Sequence, residues 1–100
     1  MYMNESFDGL YESIVIDKVL LKSQGEYSKG YGSYKIDGNE FIFIECVNID
    51  ILTKLNDYAN AQQSFNQLTI NTKDDRKIYI KGTIHVQSRV GNIVCLHVVY

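Results

Sequence analysis

One long stretch of this chain spaces its apolar residues with the period of a helix. Ile51, Leu52, Leu55, Tyr58, Ala59 and Gln62 recur at intervals near 3.6 residues, and Lys54, Asn56, Asp57 and Asn60 fall mostly off that stripe. Asn48 or Asp50 can cap it by accepting a hydrogen bond from the first free amides. The spacing predicts one helix near residues 50–63. Its stripe is narrow, so the helix must lie on a sheet or plug the end of a barrel.

The rest of the chain reads as strands. Ser13 to Lys22 is β-branched and apolar on both faces, interrupted only by Asp17 and Lys18, which predicts one strand covered on both sides. Residues 23–33 hold Gly and Ser and read as a loop or ragged edge. Ser33 to Asp37 and Glu40 to Val47 form a hairpin about Asp37-Gly38-Asn39, with a central second strand. After the helix come Gln67 to Thr72, Lys77 to Gln87 and Ile93 to Tyr100. Lys77 to Gln87 alternates, with Ile78, Ile80, Ile84 and Val86 facing inward and Gly82 marking a bulge. A three-residue turn at Val90-Gly91-Asn92 would pair Arg89 with Ile93, Ile84 with Val98 and Val86 with Leu96. Residues 1–12 suggest a short helical or loose lead-in.

The order β-β-β-α-β-β-β describes a mainly β (α+β) protein, a small antiparallel barrel or half-barrel. An open antiparallel sheet with the helix on one face is the alternative. The helix after the third strand resembles the element order of an OB-fold, an analogy of order alone that says little about function. One hundred residues suit a single domain.

Charge narrows the partners. Ten Lys and Arg face twelve Asp and Glu, for a net charge of −2. Duplex binding draws its affinity from clustered cations, so nucleic acid is disfavoured unless the fold gathers a local basic strip. No apolar run approaches the ~18 residues that cross a bilayer. Met1 to Ser6 has neither a basic start nor an apolar run, which predicts no secretory signal and a cytoplasmic protein. Cys46 and Cys95 lie in apolar strands and are expected to be reduced thiols. The wealth of Ile, Asn, Lys and Tyr fits A/T-rich codons and a bacterial or phage source.

No catalytic constellation or cofactor fingerprint is present. The predicted register sets His85 against His97, with Cys95 and Gln87 the next pair on that face. His85, His97 and Cys95 are the one group that could hold a metal, although their spacing is no known ligand motif. Cys95 and His97 share a face side by side, which does not make a nucleophile and base.

The tyrosines carry the functional expectation. Tyr27, Tyr31 and Tyr34 fall in or beside the Gly/Ser segment, and Tyr with Ser and Gly makes adaptable protein-binding surfaces. With the acidic positions Glu5, Asp8, Glu12, Asp74 and Asp75 they form the expected contact surface. A basic protein, such as a nuclease toxin, would be steered to those acids. The expected function is therefore binding and occlusion of another protein, as by an inhibitor or immunity protein, without catalysis or cofactor. The alternative is an OB-like module for single-stranded nucleic acid or a small ligand, with a basic groove of Lys29, Lys35, Lys77 and Lys81. Exposed strand edges could also pair in a homodimer.

Overall fold

The structure, a computed structural model, describes residues 6–24, 30–38 and 40–100. Its elements are β1 (Ser6–Ile16), β2 (Val19–Lys22), β3 (Gly32–Asp37), β4 (Phe41–Glu45), α1 (Ile49–Asn60), β5 (Phe65–Thr72), β6 (Lys77–Val90) and β7 (Ile93–Val99). The antiparallel sheet runs β2-β1-β3-β4-β7-β6-β5, and β5 returns to pair with β1. Six strands thus close a barrel, with β2 as an extra strand outside the ring. An OB-fold closes with five strands; here the second meander contributes three.

The segment expected as one strand from Ser13 to Lys22 is a hairpin. Asp17 (φ 46°) and Lys18 (φ 73°) are both left-handed, as a two-residue turn with right-twisted strands requires. β2 and β3 therefore lie end to end along one edge of β1, with Lys22 opposite Ser13 and Gly32 opposite Tyr11. β1 itself begins at Ser6, so residues 6–12 are extended rather than a helical lead-in.

Bulges let the strands wrap. Tyr11 pairs with Thr72 and Ser13 with Asn71, so Glu12 is an extra residue on β1. The slip reverses parity along the strand: Tyr11 points inward before it, Ile14 and Ile16 after it, all fully buried. A second irregularity falls at Gly82 on β6, as its sequence position suggested. Its φ of 152° and a site for Cβ only 3.0 Å from the Val99 carbonyl exclude other residues there without strain. A third corrects the last hairpin. Its turn has two residues, so Val90 rather than Arg89 meets Ile93, and a bulge at Gln87 restores Val86–Leu96, His85–His97 and Ile84–Val98. The apolar faces meet as expected because the core fixes register more firmly than the turn does.

The interior is Ile-rich: Ile14, Ile16, Ile36, Ile42, Ile44, Ile70, Ile80 and Ile84, with Leu68, Leu96, Val94 and Val98, are all buried. Two tyrosines join them by a reciprocal device. Tyr11 lies opposite Gly32, and Tyr34 opposite Gly9. Each ring fills the space that a side chain would take on its partner; a Cβ at Gly32 would sit 2.3 Å from the Tyr11 ring. The Tyr11 hydroxyl donates to the Glu45 carbonyl at 2.6 Å, which satisfies its buried polar end.

α1 closes one end of the barrel with Ile51 and Leu55, both fully buried. Asn48 caps it by accepting from the Asp50 amide at 2.9 Å, and its Nδ2 donates to the Lys22 carbonyl at 2.8 Å. Near the other end of the helix the Tyr58 hydroxyl donates to Asp17 Oδ2 at 2.8 Å. The helix is thereby tied at both ends to the β1–β2 hairpin, and its body packs on β6. It stops at Asn60, so Gln62 leaves the expected stripe and adopts φ 54°, and Ala59 is exposed. No helix among the described residues is long and apolar enough to cross a membrane.

Candidate functional site

Among the described residues the histidines and cysteines lie apart in their contacts. His85 and His97 are cross-strand partners, as expected, but His97 Nε2 sits 3.0 Å from Glu40 Oε1 and its ring stacks on Phe41. The bulge at Gln87 places Ser88, not Gln87, opposite Cys95. Among the described residues no three His, Cys, Asp or Glu side chains gather to hold a metal ion. Both cysteines are free thiols. Burial pushes the Cys46 thiol up to about 12, and burial also raises Cys95, so neither is an activated thiolate.

The expected contact residues fare differently. Glu5 and Tyr27, like Lys29 and the turn residue Asn39, lie outside the described residues. The other six, Asp8, Glu12, Tyr31, Tyr34, Asp74 and Asp75, all line two adjoining depressions on one side of the barrel. The larger has a volume of about 510 Å³. Ser13, Asn71 and Thr72 form its floor, and Leu20, Lys22, Tyr31, Asp75, Arg76 and Lys77 are among its walls. The smaller, about 360 Å³, is lined by Asp8, Gly9, Leu10, Tyr34, Lys73, Asp74 and Arg76. Arg76 belongs to both.

The turn between β5 and β6 divides the two, and it is tightly organised. Thr72, 2% exposed, donates from Oγ1 to Asp74 Oδ1 and accepts the Arg76 amide at 2.9 Å. Arg76 Nε reaches both Asp74 oxygens at 3.1 and 3.0 Å. The Thr72 hydroxyl and the Arg76 guanidinium hold the Asp74 carboxyl below the usual range. Asp75 completes the turn at φ 70°, a conformation that Asp tolerates better than most residues. The Lys73 amide donates to the Leu10 carbonyl at 2.8 Å, and Lys73 Nζ lies 4.9 Å from the centre of the Tyr31 ring. Tyr31, Leu10 and the turn are thus held as one surface.

Two expectations about this surface change. Tyr34 is 3% exposed and belongs to the core, so it floors the smaller depression without offering a free ring, and its replacement would disturb folding. The surface is also not uniformly acidic: Lys22, Lys73, Arg76 and Lys77 interleave with Asp8, Glu12, Asp74 and Asp75. The basic groove of the alternative reading does not form as expected. Lys35 on β3 is separated from Lys77 and Lys81 on β6 by β1 and β5 in one direction and by β4 and β7 in the other.

Leu10 and Leu20, 42% and 54% exposed, are site residues the sequence did not single out. In a single strand from Ser13 to Lys22 Leu20 would be core; the turn at Asp17-Lys18 carries it to the surface instead. Barrel closure pairs β1 with β5, while β2 stands at the end of the sheet order and pairs with β1, and the Asn48 side chain donates to the Lys22 carbonyl at its end. Comparison with protein-family models, curated proteins and solved structures finds no match to this chain.

Proposed function

We propose that this chain is a protein-binding domain that acts by occlusion, in the manner of an inhibitor or immunity protein. The observation that carries this reading is the convergence of Asp8, Glu12, Tyr31, Tyr34, Asp74 and Asp75 on two depressions joined through Arg76. Occlusion needs a rigid body and a patterned surface. The closed barrel and the fastened 72–76 turn supply the first. Leu10, Tyr31 and the interleaved charges supply the second: apolar anchors give affinity, and alternating charges fix orientation and penalise wrong partners. Four acids near one contact favour a partner with basic groups, and Lys73 and Arg76 ask for acidic groups beside them.

The test is affinity capture from the source cells with the parent chain and with a Leu10→Ser/Tyr31→Ala variant, followed by calorimetry on the purified partner. The variant should fold normally and bind at least about 30-fold more weakly, since truncating two anchors costs about 2 kcal/mol or more. Equal affinity for parent and variant would place the contact elsewhere.

A further inference from the structure

We propose a second interaction surface, a lysine-flanked strip across the outer face of β2, β1, β5 and β6 that takes an extended single strand of nucleic acid. It goes beyond the protein-binding reading and shares the larger depression with it, since Ser13, Leu20, Lys22, Asn71 and Lys77 belong to both. The register places it row by row. One row across the four strands is Lys22, Ser13, Asn71 and Lys77. The next is Leu20, Val15, Thr69 and Tyr79, and a third on β5 and β6 is Gln67 with Lys81. These rows contain three cations and no carboxylate. Glu12 and Asp75 border one margin, and Asp17 at the other is engaged by Tyr58. A chain of net charge −2 therefore keeps one face locally positive.

An aromatic ring stands on β6, at one side of that face. Tyr79 is 66% exposed and has Lys77 and Lys81 two residues away on either side of the same strand face. Outward residues on a strand repeat every ~6.7 Å, close to the phosphate spacing of an extended single strand. Lys77 and Lys81 stand about 13 Å apart along the strand, two such steps, so a base stacked on Tyr79 would sit between phosphates that the two long side chains reach from either side. Thr69 and Gln67 offer uncharged hydrogen-bonding groups between the cations, whereas the Asn71 amide donates to the buried Ser13 hydroxyl at 2.8 Å beneath them. Stacking on an exposed ring with cations along the backbone is how single strands are held without sequence readout. An acidic peptide would use the lysines but has no need of the ring, so Tyr79 discriminates between them.

The experiment is fluorescence anisotropy with a short labelled oligothymidylate at low salt, with an oligoglutamate of equal charge as competitor. The parent should bind with a slope of log K against log salt near about −2, from three phosphate contacts on a single strand. Tyr79→Ala should weaken binding about tenfold or more. Lys77→Gln and Lys81→Gln should each flatten the slope by about 0.7, and Lys35→Gln, on the far side of the barrel, should change nothing. Each replaced side chain is exposed, so melting temperatures should stay near the parent's. No binding at low salt, an unchanged affinity in Tyr79→Ala, or equal competition by oligoglutamate would overturn the assignment. Tyr79 and Lys81 line neither depression, so oligothymidylate binding lost in Tyr79→Ala with affinity for the protein partner kept would separate the two readings.

Discussion

Replacing Gly32 with Ala tests how the barrel wall is built. The added methyl would fall 2.3–2.5 Å from three atoms of the Tyr11 ring, which is fully buried and fixed by its hydrogen bond to the Glu45 carbonyl. Overfilling a packed site costs about 1–3 kcal/mol. If the ring moves, the buried Tyr11 hydroxyl loses its acceptor, which costs about 1–3 kcal/mol more. The lower entropy of the unfolded chain offsets up to about 1 kcal/mol. The expected net loss is about 2–4 kcal/mol, or a fall in Tm of roughly 10–25 °C for a domain of this size. Urea unfolding followed by far-ultraviolet dichroism measures it. The same change in a Tyr11→Leu background should cost less than about 1 kcal/mol, because the clashing ring is gone. A loss below about 1 kcal/mol in the parent, or the same loss in both backgrounds, would refute the reciprocal Tyr/Gly packing.

Three further outcomes follow from the same contacts. Tyr34→Ala should destabilise the fold by about 3–5 kcal/mol in thermal or urea unfolding, whereas Tyr31→Ala should stay within about 1 kcal/mol of the parent, since one ring is 3% and the other 38% exposed. Asn48→Ala removes the helix cap and the donor to the Lys22 carbonyl, so it should cost about 1–3 kcal/mol; an effect under 0.5 kcal/mol, on the order of a neutral surface change, would mean the cap contributes nothing. Stability should fall in alkali. The Cys46 thiol is raised from 9.0 to about 12 in the folded chain, so the unfolded chain releases its proton first. The stabilisation is complete below pH 9 and is lost as pH rises from 9 towards 12, by about 4 kcal/mol at most. Tyr11, raised by burial, acts in the same direction from pH 10 upward. Cys46→Ala should flatten the pH 9–12 part of a stability profile, and an unchanged profile would rule the thiol out.

Much of the barrel was legible because its inner faces are written in alternation. Ile84 and Val86 paired with the last strand as their spacing required, Ile78 and Ile80 pair with β5, and the helical stripe became α1. What the sequence concealed were one-residue events. Asp17-Lys18 turns without a glycine, so nothing in composition marked it, and the hairpin passed for one strand. Glu12 reverses the parity of β1, and Gln87 absorbs a turn shorter than expected. Such bulges are set by closure of the ring, a property of all six strands together, and no local window contains it. The contact residues show the same limit. The acids and Tyr31 were identifiable by type, but their neighbours Leu10, Leu20 and Arg76 joined them only once the strands were placed. Tyr34 alternates with Ile36 and could have been assigned to the interior from that spacing alone.

The β1–β5 seam joins parts of the chain with about half its length between them, from Ile16 to Leu68. The hairpins close short loops, but this seam and its counterpart between β4 and β7, where Ile44 meets Val94, must bring together distant parts of the chain and bear the largest loss of chain entropy. Joining the two halves is the natural last step of folding. Until the β1–β5 seam zips, both bordering strands present bare amides and carbonyls to any other copy of the chain. Crowded refolding should therefore be limited by exchange of the two halves between molecules, with domain-swapped dimers as its signature.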